Sequence, residues 1–195
     1  MSKKDKWNEA YQNADFESAS PARVLSENEY LLPKEGKVLD LACGRAGNAL
    51  FLAKKYQYDI DVIDYSSVVI DALKSFVTKK SLSMNCILRD VEKDGLQNIN
   101  SDTQYNIIIV SYFLNRKLFP QIVKALKPNG LLFYQTWSQV KIDNSGPSNA
   151  KFRLEQGELL RLCNDLKPIV YREDCVNGDL TKGLRNEAMI VAQKP

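Results

Sequence analysis

The sequence predicts an α/β fold in which a mostly parallel, seven-stranded sheet has helices on both faces and ends in an antiparallel C-terminal hairpin. Three observations support this prediction. Apolar strand-like stretches alternate with amphipathic helical ones, the segment VLDLACGRAGNAL at 38–50 has the pattern of a strand, a tight turn and a helix, and a short glycine-containing link joins the last two strand-like stretches. Strands that alternate with helices form parallel sheets covered on both faces.

The first five strands are predicted at residues 37–41, 59–63, 85–88, 105–110 and 131–136. Helical patterns lie between them at 47–56, 66–79 and 116–127. The last of these patterns ends in Lys127-Pro128-Asn129-Gly130, and proline and glycine are typical of the region where a helix stops.

The C-terminal part has a different pattern. A helix is predicted at 155–166, followed by strands at 169–176 and 188–192. The link between these strands is about ten residues, too short for a helical crossover, so they are expected to form an antiparallel hairpin. Residues 1–35 are expected to form a helical cover. Residues 138–152, rich in Asn, Ser, Gly and Pro, are expected to form a long loop of the kind that often acts as a lid.

Composition and charge indicate one globular domain spanning residues 1–195, because 44% of the residues are hydrophobic and 26% are charged. The net charge of +3 is spread along the chain, with Lys3, Lys4 and Lys6 as the one tight cluster, so we expect no nucleic-acid partner. Apolar runs stay far below the ~20 residues of a membrane span, and the N-terminus has no apolar signal core. We therefore expect a cytoplasmic protein without a membrane partner.

The chain has four cysteines, Cys43, Cys86, Cys163 and Cys175, and no histidine. The cysteines are widely spaced and form no C-x-x-C pair, so we predict no metal site and expect each to be a small buried hydrophobic residue. Without histidine, imidazole is excluded as a general base.

The turn at 42–47 follows the first strand, and open parallel sheets bind ligands beyond the carboxyl ends of their strands. Ala42-Cys-Gly44-Arg-Ala-Gly47 has the G-x-G-x-x-G spacing of dinucleotide sites with its first glycine replaced. Gly44 allows the backbone to approach a ligand, and Gly47 opens a helix whose free N–H groups favour an anion. The anion is either the pyrophosphate of a dinucleotide or the carboxylate of S-adenosylmethionine (SAM), and the glycines fit both.

Acidic residues at the ends of three successive strands favour SAM. A carboxylate at Asp40 suits the ammonium group of SAM, although a strand-end aspartate also caps turn backbone. Asp64 is placed to accept both ribose hydroxyls, or to cap the helix that starts near Ser66. Asp90 is placed to take the adenine amino group, with the N–H of Val91 reaching the ring.

Several further segments add to this pattern, namely 38–44 (VLDLACG), 48–53 (NALFLA), 62–66 (VIDYS), 111–116 (SYFLNR), 118–120 (LFP), 125–130 (ALKPNG) and 157–160 (GELL). Together they resemble class I SAM-dependent methyltransferases, and within that superfamily the small TehB-like group named for tellurite resistance. The resemblance covers nearly the whole chain. It implies a Rossmann-like class I methyltransferase fold with an antiparallel last strand, in agreement with the predicted hairpin.

The resemblance also implies where each part of SAM would bind. The methionine part would lie on Asp40, Ala42, Gly44 and the backbone around Gly47 and Asn48. The ribose would bind Asp64 and Tyr65, the adenine Asp90 and Val91, and Ser111 with Tyr112 would line the pocket after the fourth strand.

The chain departs from these relatives at two places. Where they commonly have Gly-x-Gly-Arg-Asn, this chain has Gly44-Arg-Ala46-Gly47-Asn48, a difference that affects the contacts at 45–47. Asn115 stands where relatives often have histidine, and an amide forms hydrogen bonds but does not act as a base at neutral pH.

The function predicted from these residues is methyl transfer from SAM to a small-molecule acceptor. The chain lacks the N-P-P-aromatic and Pro-Cys segments of base methyltransferases, and a soft sulfur, selenium or tellurium nucleophile needs orientation more than a strong base. Arg116 is expected either to face an anionic acceptor or to be a solvated residue at a helix start. Trp7 and Tyr11 are expected either to close over the cofactor or to anchor the N-terminus in the core.

Two other functional classes fit parts of the pattern. A non-catalytic SAM-binding module would have the same cofactor residues. A nicotinamide-dependent oxidoreductase would share the glycine turn, but it would need a second catalytic domain for which 195 residues leave no room.

Overall fold

The structure is a computed structural model that describes residues 3–97, 99 and 104–195, without the side chains of Lys3, Lys4 and Lys6. The basic cluster of the N-terminus therefore lies outside the described side chains.

The described residues form a seven-stranded sheet. Its strands are β1 (Lys37–Leu41), β2 (Asp59–Asp64), β3 (Asn85–Leu88), β4 (Tyr105–Ser111), β5 (Leu126–Trp137), β6 (Lys167–Arg172) and β7 (Glu187–Gln193). They lie in the order β3-β2-β1-β4-β5-β7-β6, with β1 to β5 parallel and β7 antiparallel to both β5 and β6. The predicted fold class, including the antiparallel hairpin, is confirmed.

Helices cover both faces of this sheet. They are α1 (Lys3–Ala10), α2 (Arg23–Ser26), α3 (Gly47–Lys55), α4 (Ser67–Lys79), α5 (Val91–Asp94), α6 (Phe119–Ala125) and α7 (Glu158–Leu162). Buried residues of α2, α3 and α4 share one hydrophobic core, and those of α5, α6 and α7 share another. Among the described residues, no helix is long and apolar enough to cross a membrane.

Strand β5 shows why the predicted strands are continuously apolar. Leu131 and Phe133 belong to the first core, whereas Leu132 and Tyr134 belong to the second. Successive side chains of a strand point to opposite faces, so a strand between two helical layers buries every residue.

Four elements have bounds that differ by several residues from their predictions. The helix predicted at 116–127 is a 3-10 turn at Arg116–Leu118 followed by α6, and β5 already starts at Leu126. Pro128 disfavours the helical conformation at the residue before it, so the chain becomes extended earlier. The helix predicted at 155–166 is shortened to α7, whose N-cap Gly157 is left-handed with φ +68°. Strand β6 ends at Arg172 rather than 176, because Asp174 instead accepts hydrogen bonds from Arg172 and the Leu184 N–H.

The N-terminal cover at 1–35 is only partly helical. Within its described part, α1, α2 and a 3-10 turn at Glu29–Leu31 are helical, and residues 11–22 between α1 and α2 are not. Residues 138–152 form the predicted loop, with a single 3-10 turn at Ala150–Phe152 and an isolated bridge between Ser138 and Leu154.

Candidate active site

A cavity of about 1030 Å³ lies at the carboxyl ends of β1, β2 and β4, where the strand order reverses. Pockets for small ligands have volumes of roughly 300–1,000 Å³, so this cavity has room for a cofactor together with a small second molecule. Among the residues that line it are most of the predicted cofactor residues: Ala42, Gly44, Gly47, Asn48, Asp64, Tyr65, Asp90, Val91, Ser111 and Tyr112.

The turn after β1 has an unusual backbone. Ala42, Gly44 and Ala46 all have left-handed conformations, with φ of +55°, +51° and +53°. This conformation costs a non-glycine residue roughly 1–2 kcal/mol, so Ala42 and Ala46 hold strain of the kind that clusters at ligand sites. A Cβ on Gly44 would lie 2.8 Å from the hydroxyl of Tyr11, so glycine also leaves room for the N-terminal segment.

Asp64, the last residue of β2, holds this turn in place through hydrogen bonds. Its Oδ2 accepts the Gly44 N–H at 2.9 Å and its Oδ1 accepts the Ser66 N–H at 2.9 Å. Burial raises the pKa of the Asp64 carboxyl, and the backbone hydrogen bonds oppose this shift. The position of Asp64 is compatible with a ligand-binding role, because a carboxylate that lines the cavity and binds backbone still has lone pairs for a ligand. The alternative, that Asp64 caps α4, is wrong, since the N-cap is Ser66, whose Oγ accepts the Val69 N–H.

Asp40 lies behind the cavity, not in its described lining. Its carboxylate is fully buried. Asp40 instead accepts the Ala49 N–H at 3.1 Å and the Asn48 Nδ2–H at 3.3 Å, which is the backbone-capping alternative. Burial raises the pKa of Asp40 to about 7. Asp40 holds Asn48 and the start of α3 in place from behind the cavity.

Asn48 links three parts of the chain at the cavity floor. Its Nδ2 also donates to the Ser111 Oγ at 3.0 Å, and its Oδ1 accepts the Ala22 N–H at 2.9 Å. These bonds fix the orientation of the Asn48 amide. The backbone N–H of Ala22 requires an acceptor, so the amide oxygen must face Ala22. Asn48 thus positions Ser111 and the N-terminal segment together with Asp40.

Asp90 and Val91 lie at the start of α5, beside Tyr65. The Asp90 carboxylate accepts the N–H groups of Glu92 and Lys93 at 3.1 and 3.3 Å, and Val91 is buried. Burial raises the pKa of Tyr65 to about 12, so its phenol is neutral at physiological pH. This part of the cavity therefore combines an apolar floor with a carboxylate.

The N-terminal segment contributes residues that the sequence did not single out. Ala19 to Arg23 line the cavity, and a Cβ on Gly47 would lie 2.2 Å from the Ser20 carbonyl oxygen. The Ser66 hydroxyl donates to the Oδ1 of Asn8, a residue of α1, at 2.6 Å. Trp7 of α1 stacks on Tyr11 with ring centroids 5.6 Å apart. The Trp7–Tyr11 pair lines the cavity, and Tyr11 also packs against the first hydrophobic core, so both predicted roles are compatible with its position.

The opposite side of the cavity is aromatic. Tyr112, Phe113, Trp137 and Phe152 line it, and we call these four residues the aromatic wall. The Tyr112 and Trp137 rings lie 5.3 Å apart at 41°. Gly146 of the 138–152 loop packs against the Trp137 indole so closely that a Cβ would lie 2.6 Å from it.

Arg116 also lies outside the described lining of the cavity. Its guanidinium binds both carboxylate oxygens of Glu158, at 2.5 and 2.8 Å, and donates to the carbonyl oxygens of Lys151 and Arg153. The bond to Arg116 lowers the pKa of Glu158. Arg116 anchors the end of the 138–152 loop to α7 rather than facing an acceptor.

We expect Arg116→Ala to lower the free energy of unfolding by about 1–3 kcal/mol, because the Glu158 side chain is only 11% exposed and would lose its charged partner. Limited proteolysis should also cut the 138–152 loop faster. Arg161→Ala is the matched control, since Arg161 and Glu155 are 60% and 67% exposed and 3.5 Å apart. Equal stability of both variants would contradict an anchoring role for Arg116.

Two polar residues behind the aromatic wall escaped the sequence analysis. Gln135 of β5 donates from Nε2 to the Tyr112 hydroxyl at 3.2 Å and to Glu187, the first residue of β7. The predicted hairpin could have indicated Glu187. An antiparallel last strand begins at the sheet edge where the parallel strands end, so its first residue lies beside the cavity. Cys43 lines the cavity and also packs against the first hydrophobic core, and burial raises the pKa of its thiol, which is therefore protonated.

The family described as "Tellurite resistance protein TehB" matches residues 2–191 of this sequence. The chain belongs to the TehB family. A "Probable S-adenosyl-L-methionine-dependent methyltransferase TehB" of Haemophilus influenzae is 33% identical over 94 residues, covering 47% of this chain and 31% of that protein. A "Putative methyltransferase YqeM" of Bacillus subtilis is 28% identical over 130 residues, covering 62% of this chain and 50% of that protein. The matched part thus spans half or less of these curated relatives.

The crystal structure of TehB from Haemophilus influenzae has the same fold. It superposes with a TM-score of 0.71 at 23% identity, over 100% of this chain and 68% of that one. At this identity the likeness shows the fold alone.

Proposed function

We propose that the chain is a SAM-dependent methyltransferase that acts on a small-molecule acceptor. The observation that carries the proposal is the cavity itself, which joins the Gly44 turn and the Asp64 and Asp90 carboxylates on one side to the aromatic wall on the other. A two-substrate transfer needs such a shared space, because its two reactants must meet in one orientation. The names of the two relatives, a putative methyltransferase and a probable SAM-dependent methyltransferase, agree with this activity.

The residues around the turn fit SAM part by part. The methionine part would lie over Ala42, Gly44, Gly47 and Asn48, where the backbone has no bulky side chain. Asp64 and Tyr65 would hold the ribose, and Asp90 and Val91 the adenine. Ser111 and Tyr112 would separate the cofactor from the acceptor. When bound, SAM supplies an activated methyl group on a sulfonium cation.

The aromatic wall suits both partners of the transfer. Aromatic faces attract a sulfonium cation by roughly 0.5–2 kcal/mol, and they exclude water from the reacting atoms. The acceptor would occupy what the cofactor leaves of the 1030 Å³ cavity, which favours a small molecule. A soft sulfur, selenium or tellurium nucleophile is the acceptor class that depends least on a strong base.

Calorimetry with SAM and NAD, followed by an acceptor screen, tests the proposal. We expect SAM and S-adenosylhomocysteine to bind and NAD not to bind. In the screen, thiols, selenide and reduced tellurium should yield S-adenosylhomocysteine faster than alcohols or amines. Binding of NAD in place of SAM would contradict the cofactor assignment, and SAM binding without transfer to any acceptor would indicate a non-catalytic SAM-binding module.

The 138–152 loop should respond to the cofactor if it acts as a lid. Its Gly146, Pro147 and Phe152 line the cavity, so a bound cofactor would contact the surface on which the loop packs. We expect proteases to cut within 138–152 in the free protein and several-fold more slowly with SAM bound. The exposed segment 176–182 is the internal control, and equal protection of the two segments would contradict a lid.

A further inference from the structure

The carboxylate of Glu187 lies behind the aromatic wall. In the sheet Glu187 pairs with Trp137, so it sits at the same edge as the carboxyl ends of the parallel strands. It accepts hydrogen bonds from the Tyr112 hydroxyl at 3.4 Å and from the Gln135 Nε2. Long catalytic hydrogen bonds are usual in structures without substrate and tighten in the complex.

Gln135 fixes the orientation of this group. Gln135 is fully buried, and its Oε1 accepts the Val24 N–H at 2.6 Å. That bond requires the amide oxygen to face α2, so the amide nitrogen must face Glu187 and Tyr112. The arrangement therefore presents two donors to Glu187 and leaves the Tyr112 hydroxyl with one donor partner and one acceptor partner.

Tyr112 connects Glu187 to the cavity. It follows β4 in a left-handed conformation with φ +56°, its side chain is partly exposed, and it lines the cavity. A tyrosine rarely adopts this conformation, which costs of order 1–3 kcal/mol and is typical of functional sites. Tyr112 therefore contacts both the space where an acceptor would lie and the carboxylate behind it.

The electrostatic surroundings of Tyr112 and Glu187 allow the Glu187 carboxylate to accept a proton. Burial raises the pKa of the Glu187 carboxyl, while its bonds to Gln135 and Tyr112 and the positive charge of Arg23 on α2 lower it. Burial and the Glu187 charge raise the pKa of Tyr112 to about 12, so the phenol keeps its proton. A neutral phenol between the methyl acceptor and a carboxylate can take up one proton while it donates its own proton to the carboxylate. The chain also has no histidine for this task.

We propose that Tyr112 and Glu187 form the proton-accepting pair for a methyl acceptor that binds as a neutral thiol or a similar protonated nucleophile, an inference that rests on the proposed methyl transfer. As the acceptor atom bonds to the methyl carbon, the sulfonium carbon–sulfur bond breaks and its electron pair stays on sulfur. The acceptor proton moves to the Tyr112 hydroxyl oxygen, and the proton of Tyr112 moves to the Glu187 Oε2. Glu187 later releases this proton to solvent.

The kinetic test uses Glu187→Gln and Tyr112→Phe in single-turnover reactions across pH with a thiol acceptor. General-base groups contribute about 10²–10⁴-fold, so we expect both variants to lose at least tenfold in rate near pH 7. The loss should shrink above the pKa of the thiol, where solution already supplies the thiolate. The SAM affinity of Glu187→Gln should stay unchanged, because Glu187 does not belong to the described lining of the cavity. Glu155→Gln, an exposed carboxylate on the surface, is the control.

A second measurement needs no acceptor. In ¹³C-carboxyl NMR of the free protein, Tyr112→Phe should raise the pKa of Glu187, because it removes a hydrogen bond to the charged form. The pair is overturned if Glu187→Gln lowers the rate equally at every pH, which indicates a structural role, or if Tyr112→Phe leaves the Glu187 titration unchanged. Failure of the wild type to methylate any thiol would contradict the proposed function, while the NMR titration would still decide whether the pair exists.

Discussion

Asp64→Ala should weaken SAM binding by about 1–3 kcal/mol, a loss of roughly five- to 150-fold in affinity. The carboxylate lines the cavity, where we propose that it binds the ribose hydroxyls, and it also holds the turn that carries Gly44. Both of its oxygens accept a backbone N–H at 2.9 Å. Truncation removes the ligand contact and leaves two N–H groups without their acceptor, so the free energy of unfolding should fall by a similar amount.

Two controls separate these effects. Asp71→Ala removes an exposed carboxylate from α4 and should change neither affinity nor stability. Asp64→Asn keeps the shape and one acceptor oxygen, so it should be more stable than Asp64→Ala and still bind SAM weakly. Calorimetry on folded protein, checked by circular dichroism, gives the affinities. Wild-type affinity in a folded Asp64→Ala variant would rule out the ribose assignment.

Asp40→Asn should reduce the pH dependence of stability. Burial raises the pKa of Asp40 from an ordinary 3.8 to about 7 in the folded protein, so the folded state holds its proton where the unfolded state has lost it. The contribution of Asp40 to the free energy of unfolding should therefore be largest below about pH 4, fall by up to about 1.4 kcal/mol per pH unit, and level off above about pH 7. The asparagine variant lacks this contribution.

Urea unfolding at pH 5 and pH 8 measures the difference. The wild type should lose more stability between these values than Asp40→Asn, whatever the offset between the two proteins at either pH. Asp64 also has a raised pKa and contributes in the same direction, so the variant should keep a smaller slope. Asp165→Asn, on an exposed residue, should keep the wild-type slope. Identical slopes for Asp40→Asn and the wild type would show that Asp40 is ionised throughout this range.

Local pattern was sufficient for the fold and for bringing most of the predicted cofactor residues to one cavity. The continuous apolar stretches of β1 and β5 indicate strands buried on both faces, and the short link before β7 indicates the hairpin. Asp64, Asp90 and the Gly44 turn were identified because each directly follows or ends a strand. Parallel strands bring such residues to one edge without any knowledge of packing.

The roles of Asp40 and Arg116 required the tertiary structure, because each depends on which side of an element a single side chain takes and on a partner distant in sequence. Asp40 turns toward Asn48 and away from the cavity, and Arg116 turns toward Glu158. Gln135 and Glu187 meet Tyr112 only when β4, β5 and β7 are paired. The sequence by itself determined the order of strands and helices and the edge at which the cavity lies, since these follow from period and turn chemistry. Which polar side chains face the ligand was decided by the folded chain alone, because buried carboxylates bind whichever donors packing brings within reach.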